Sequence, residues 1–187
     1  YTHAHTLSLH DALPISKIWI DNSGEERAYA ALQKSFERLG TEYIDLVLVH
    51  QPFGDYYGTY RALERAYTVG TVRSIGVSNF YQDKFYDLAH HCRIIPMVNQ
   101  LEANVFSQQT EMREMMNEYG TKAMAWGPIA QGKENFTENE VLTETGKRYG
   151  KTAVQTALRF LAQEGIPAIP KSSKAERMKE NIDIFDF

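Results

Sequence analysis

The chain has 187 residues, 43% of them hydrophobic and 24% charged, an ordinary globular composition and a length suited to one domain. Lys and Arg number 20 against 24 Asp and Glu, a formal balance of −4 that leaves no basic footprint for nucleic acid or for an anionic membrane surface. No apolar stretch approaches the ~20 residues that span a bilayer, and the single cysteine, Cys92, cannot form an internal disulfide, so it reads as an inert half-buried thiol of a cytoplasmic protein.

Residues 1–16, YTHAHTLSLHDALPIS, have neither helical nor strand periodicity, nor the basic start and continuous apolar core of a signal peptide. Thr6 to Ile15, TLSLHDALPI, coincides with one reading frame of a common sequencing-adapter oligonucleotide. We therefore expect residues 1–16 to be a non-native tail and residues 17–187 to form the native domain. His3, His5, His10 and Asp11 are metal-ligand types, but His-x-His with a distant His-Asp matches no structural frame, and no metal site is expected.

From Lys17 onward, short apolar runs alternate with amphipathic segments. A first strand at Ile18–Ile20 is preceded by Lys17. Ser23 and Glu26 have capping-box spacing and open a helix that carries Tyr29, Leu32, Phe36 and Leu39 on one face before Gly40 ends it. The run DLVLV (45–49) stops at His50, and a helix follows from about Thr59 with Gly70 as its stop. VRSIGV (72–77) stops at Ser78 and Asn79, before a helix over 82–90. MVN (97–99) stops at Gln100, before a helix with Met112, Met115 and Met116 facing the core. KAMA (122–125) runs into Trp126 and the loop GPIAQG (127–132). Helices over 137–149, with box spacing from Thr137 to Glu140, and over 152–163 come next. A last strand, Ile166–Ile169, meets Lys171, and a helix spans about 175–181.

Strand, polar or aromatic end residue, helix, repeated six times, is the rhythm of an α/β protein with a parallel sheet. The expected fold is a partial (β/α)8 TIM barrel lacking the first two βα units, in which all strand ends on one rim converge on one site. A doubly wound open sheet is the structural rival, but no Gly-x-Gly-x-x-Gly turn follows any strand.

The segments LGTEYIDLVLVHQP (39–52), GTVRSIGVSNF (70–80), VNQLE (98–102) and IPKSSKAERMKEN (169–181), in this order and spacing, resemble the aldo-keto reductase family, most closely its bacterial branch of diketogluconate and glyoxal reductases. The resemblance covers residues 17–187. It implies NADPH-dependent reduction of an aldehyde or ketone on a (β/α)8 barrel, with a small-molecule carbonyl substrate, no nucleic acid or membrane partner, and a monomeric intact form. In that family a tyrosine protonates the carbonyl oxygen beside a lysine paired to an aspartate, while a histidine orients the carbonyl. Lys17 and His50 match the lysine and the histidine as catalytic residues. Nothing in the chain corresponds to the tyrosine or the aspartate, so the parent enzyme is expected to be active and this fragment inactive.

On the cofactor side the resemblance implies that Ser78, Asn79 and Gln100 bond the nicotinamide carboxamide. Trp126 stands where the family usually places a stacking tyrosine. The loop from Gly127 through Pro128, Ile129 and Gln131 runs along the pyrophosphate. Lys171, Ser172, Ser173 and Arg177 match the cradle of the 2'-phosphate, and Glu180 and Asn181 the adenine contacts. Trp19, Gln51 and Phe80 are the expected substrate-pocket wall. Tyr56, Tyr57 and Tyr60 lie in the loop after His50, but loop position alone does not place a hydroxyl near C4 of the cofactor, and none is expected to substitute as the acid. A non-catalytic NADPH-binding regulatory barrel of the same family is the alternative within it; a phosphate-binding barrel lyase or isomerase lies further off.

Overall fold

The computed structural model describes residues 14–132 and 135–187. Its elements divide into two units, one comprising the chain up to Asn99 together with Tyr119–Thr121, the other Gln100–Glu118 and Lys122–Phe187. The histidines and Asp11 of the N-terminal segment lie outside the described residues. Among the described residues no group of three or more His, Cys, Asp or Glu could hold a metal ion. No described helix is long and apolar enough to cross a membrane.

In the first unit three parallel strands, β1 (Ile15–Ile18), β2 (Leu46–Val49) and β3 (Ile75–Ser78), pair in the register Lys17 with Leu48 and Leu48 with Gly76. All eight residues of β2 and β3 are buried, which is why these segments read as unbroken apolar runs rather than as alternating ones. Helices α1 (Glu25–Leu39), α2 (Tyr56–Thr68) and α3 (Gln82–His91) cover them through Ala28 and Leu32, through Tyr60, Leu63 and Ala66, and through Phe85 and Leu88. The start of β4 (Val98–Glu102) joins this unit, where Met97 N donates to Ile75 O at 2.9 Å.

In the second unit the rest of β4 lies beside β5 (Lys122–Trp126), with Ala103 N donating to Trp126 O at 3.2 Å. Neighbouring strands are thus neighbours in the chain, in the order β1-β2-β3-β4-β5. Helices α4 (Thr110–Glu118), α5 (Glu140–Lys147) and α6 (Ala153–Gln163) turn small apolar stripes inward, whereas α7 (Ala175–Ile182) has no buried residue. Two apolar clusters pack among the described residues of this unit: Ala103, Ala125, Leu161 and Ile166, and then Phe136, Leu142, Ala153 and Ala157.

The structure corrects the expected elements in five places. The first strand is Ile15–Ile18, with Lys17 inside it, and Ile20 already begins a 3-10 turn. It takes in Ile15 and Ser16, which the sequence reading assigns to the tail. Ser23 caps nothing: Gly24, at φ 100°, holds the N-cap of α1, and its N–H donates to Thr59 Oγ1 at 3.0 Å. Helix α2 starts three residues before Thr59, because the Asp55 side chain accepts from Gly58 N at 2.7 Å. Asn139, not Thr137, caps α5 by accepting from Leu142 N. The last strand shrinks to one parallel bridge, Ala168 with Ala125, since Pro167 and Pro170 bring no N–H to a ladder.

Candidate functional site

The register of the first unit decides what its strand ends bring together. Lys17 is opposite Leu48 and Ile18 opposite Val49, so the next residues along, Trp19 and His50, come level at the C-terminal ends of β1 and β2. Their rings meet edge to face at 4.7 Å between centroids, and His50 N donates to Ile18 O at 3.1 Å. Val49 pairs with Val77, which brings Ser78 level with His50. Asn79, held in the left-handed region at φ 62°, turns its amide back to donate to His50 O at 3.3 Å and to Ser78 Oγ at 3.2 Å. Three strand tips are thereby tied by main chain and one asparagine. Lys17, His50 and Gln51 are half-buried and Trp19 is 44% exposed.

Burial pushes the Lys17 ammonium below its ordinary range. His50 is lowered too, first by burial and then by the positive charge of Lys17. Phe80 is 0% exposed, packed edge to face on Tyr56 at 5.4 Å, and offers no ring surface at the strand ends. Its carbonyl accepts from Asn99 Nδ2 at 2.6 Å. The tyrosines after His50 are also committed elsewhere. Tyr56 and Tyr57 both donate to Asp87 Oδ2 on α3, and Tyr60, fully buried, donates to Ile94 O at 2.9 Å. All three hydroxyls are raised above the ordinary tyrosine value, with burial the largest cause.

The second unit carries a cavity of about 640 Å³ bounded by the turn between α5 and α6 and by the segment 171–181. It gathers Ile129, Lys171, Ser172, Arg177, Glu180 and Asn181, all expected from the sequence. Lys147, Lys151 and Thr152 also line it, none of them among the residues expected from the sequence. The Thr152–Gln155 spacing marks only a helix start, and in the structure it is a capping box. Lys151 is neutralised by Asp183 and Asp186 at 2.9 and 2.7 Å, and those carboxylates raise its ammonium. Lys147 is paired with Glu144 at 2.6 Å. Among the described residues, neither Lys171 nor Arg177 forms an ion pair, so two uncompensated cations line the cavity. Ser173, Gly127, Pro128 and Gln131 lie outside its lining.

Gln100 sits inside β4 rather than at a strand end, fully buried, with Nε2 donating to Met124 Sδ at 3.1 Å and Oε1 left without a partner. Trp126 ends β5, half-buried, and Gly127, Ala130 and Gln131 after it all take left-handed conformations that turn the loop sharply. A second cavity, of about 380 Å³, lies among Val105, Leu142, Tyr149, Phe160 and Phe187 and includes none of the expected residues.

Residues 15–187 match the sequence profile of the Aldo/keto reductase family. The chain belongs to this family. It is 43% identical over 173 residues to the glyoxal reductase of Bacillus subtilis (strain 168), covering 92% of this chain and 62% of that protein. Against the 9,11-endoperoxide prostaglandin H2 reductase of Trypanosoma cruzi (strain CL Brener) the identity is 40% over 174 residues, with the same coverages. The chain thus spans 62% of the length of either relative. Among solved structures it superimposes on MGS-M4, an aldo-keto reductase enzyme from a Medee basin deep-sea metagenome library, with a TM-score of 0.92 at 34% identity, over 95% of this chain and 67% of that one. On the Bombyx mori aldo-keto reductase in complex with NADP the TM-score is 0.87 at 32% identity, over 95% and 64%. The α/β fold class expected from the sequence, a partial (β/α)8 barrel, is that of the family.

Within this aldo/keto reductase chain the two clusters have different chemical capacities. The strand tips of the first unit present a neutral imidazole and an aromatic face beside a half-buried ammonium, which suits a polarised carbonyl oxygen better than an anion. The second unit presents a guanidinium, an ammonium and a hydroxyl together, which suits a phosphate dianion.

Proposed function

We propose that the protein to which this chain belongs reduces an aldehyde or ketone to an alcohol at the expense of NADPH. The observation that carries the proposal is the 640 Å³ cavity, which unites Lys171, Ser172 and Arg177 with Glu180 and Asn181. The residues present fit the cofactor. Two unpaired cations and a hydroxyl match a 2'-phosphate, and the buried Gln100 Oε1 is an acceptor that a carboxamide amino group would satisfy. Bound NADPH would supply the hydride for the reduction.

In this reading Gln100 orients the carboxamide, Trp126 stacks on the ring, and the turn at Gly127–Gly132 follows the pyrophosphate, all within the second unit. Trp19 and Gln51 border the carbonyl substrate. His50, kept neutral by burial and by Lys17, donates an N–H to the carbonyl oxygen without delivering a full positive charge. Lys17 contributes the electrostatics that make a neighbouring proton mobile. The proton itself needs an acid, and Tyr56, Tyr57 and Tyr60 are engaged with Asp87 and Ile94. The 187-residue chain therefore holds NADPH and shows no carbonyl-dependent oxidation of it.

Tryptophan quenching on titration tests the binding. NADPH should bind at least about tenfold more tightly than NADH, and Arg177→Met should erase most of that margin, the worth of one charge-assisted contact. Equal affinity for both dinucleotides would refute the assignment of the cavity. Turnover by the 187-residue chain that His50→Ala abolishes would refute the inactivity.

A further inference from the structure

We infer that Thr152 is a positioning residue for base recognition: its hydroxyl fixes the Glu180 carboxylate as an acceptor for an exocyclic amino group and so sets preference for adenine over an oxo-purine. The inference rests on the NADPH reading of the cavity and adds to it a residue outside the segment 171–181.

The geometry begins at the first turn of α6. Thr152 Oγ1 accepts from Gln155 N at 3.2 Å, while the Gln155 side chain accepts from Thr152 N at 3.0 Å, closing the box. A hydroxyl has one proton to give. Because the Gln155 N–H is already a donor to Oγ1, that proton is free for another acceptor, and it goes to Glu180 Oε1 at 2.6 Å. The polarity of the contact is therefore fixed by the helix cap. Gln155 adds a second tie, its Nε2 donating to Glu180 O at 3.3 Å and to Asp183 O at 2.8 Å. Glu180 is held at both its main chain and its carboxylate.

This pinning matters because α7 has little else to hold it. None of its eight residues is fully buried, so packing alone leaves a glutamate on it several rotamers. With Oε1 taken by Thr152, Oε2 is the acceptor that the cavity offers. An adenine amino group donates to such an oxygen. A hypoxanthine presents a carbonyl there instead, and two acceptors then face each other with neither satisfied.

The experiment measures dissociation constants of NADPH and of its hypoxanthine analogue, deamino-NADPH, by calorimetry on the 187-residue chain. Wild type should favour NADPH by about tenfold, and Glu180→Ala should bring the two within about twofold. Thr152→Ser keeps the hydroxyl and should keep the preference. Thr152→Asp keeps an N-cap acceptor but sets a carboxylate against Glu180, and should collapse the preference while far-UV dichroism stays that of wild type. Thr152→Ala, which removes the hydroxyl without adding charge, is read beside it, and its ratio decides if the aspartate variant does not fold. In a Glu180→Ala background neither change at 152 should move the ratio further. Wild-type preference in both Thr152→Asp and Thr152→Ala, or an equal shift with and without Glu180, overturns the inference alone. No binding of NADPH to wild type overturns it together with the cofactor reading.

Discussion

Gly76, in the middle of β3, offers a sharp test of how closely the strands of the first unit approach. A Cβ built at this position would lie 2.2 Å from Val98 O, 2.9 Å from Leu48 Cδ2 and 3.0 Å from Val98 C, where an ordinary contact begins at 3.4 Å. The Leu48 side chain can rotate; the Val98 carbonyl is main chain and cannot. Gly76→Ala therefore forces the backbone of β3 and the start of β4 apart by more than an ångström, beyond what the 2.9 Å bond from Met97 N to Ile75 O tolerates. Overpacking of a tight core costs about 1–3 kcal/mol and a strand hydrogen bond about 1 more, so the expected loss is about 2–4 kcal/mol. Urea unfolding followed through Trp19, in a Trp126→Phe background so that the first unit alone is read, should show a midpoint lowered by about 1–3 M. Gly70→Ala is the control: φ is 82° but no atom lies within 4 Å, so it costs only the left-handed conformation, about 1–2 kcal/mol. A Gly76→Ala midpoint no lower than that of Gly70→Ala would refute the reasoning.

Two further predictions concern charged groups in the same unit. His50 should titrate below the ordinary histidine value of about 6.5, and Lys17→Met should raise its midpoint only part of the way, because burial is the larger cause and the lysine charge the smaller. Below 6.5 the unfolded chain binds the proton that folded His50 refuses, so this group makes stability rise with pH across the interval between its folded and unfolded values and fall on acidification. Imidazole proton shifts measured against pH check both signs, and a Lys17→Met midpoint unchanged or lowered would contradict the coupling. Glu64, 6% exposed, accepts from Arg93 N at 2.6 Å and Ile94 N at 2.9 Å with one oxygen. Glu64→Leu leaves both N–H groups without that acceptor and should cost about 2–4 kcal/mol, while Glu64→Gln keeps an acceptor and should cost less than half as much. Equal urea midpoints for the two variants would show that the carboxylate does not serve as this cap.

The strands that the sequence revealed were those in which side chains carry the signal. LVLV and IGVS are buried on both faces, so burial writes itself into composition. Ser16 is in a strand for another reason: main-chain pairing with Val47 makes no demand on its side chain, and no apolar count could find it. The opposite failure occurs at Ile166–Ile169, apolar enough for a strand but interrupted by Pro167, which cannot donate. Cap assignments erred where a tertiary contact overrode a local pattern. Ser23 has the spacing of a cap, yet the Gly24 N–H is claimed by Thr59, thirty-five residues away. The cavity follows the same division. Lys171, Ser172, Arg177, Glu180 and Asn181 lie in one continuous motif, whereas Lys147, Lys151 and Thr152 reach it from a helix turn whose pattern speaks only of packing.

The two clusters also differ in how their chemistry is protected from changes of solution. A guanidinium is charged throughout the physiological range, so what Arg177 brings to the cavity is screened by salt. Histidine is the reverse, a group whose charge changes within that range. The first unit removes this sensitivity in two ways at once: it half-buries His50 against Trp19, and it places the Lys17 charge where a second positive charge would be repelled. Burial acts more strongly and the lysine charge adds to it, both disfavouring the imidazolium. Lys17 bears the burial cost as well, its own ammonium being lowered. Its charge acts on His50 across the strand tips, where protonating the ring sets a second positive charge against the ammonium.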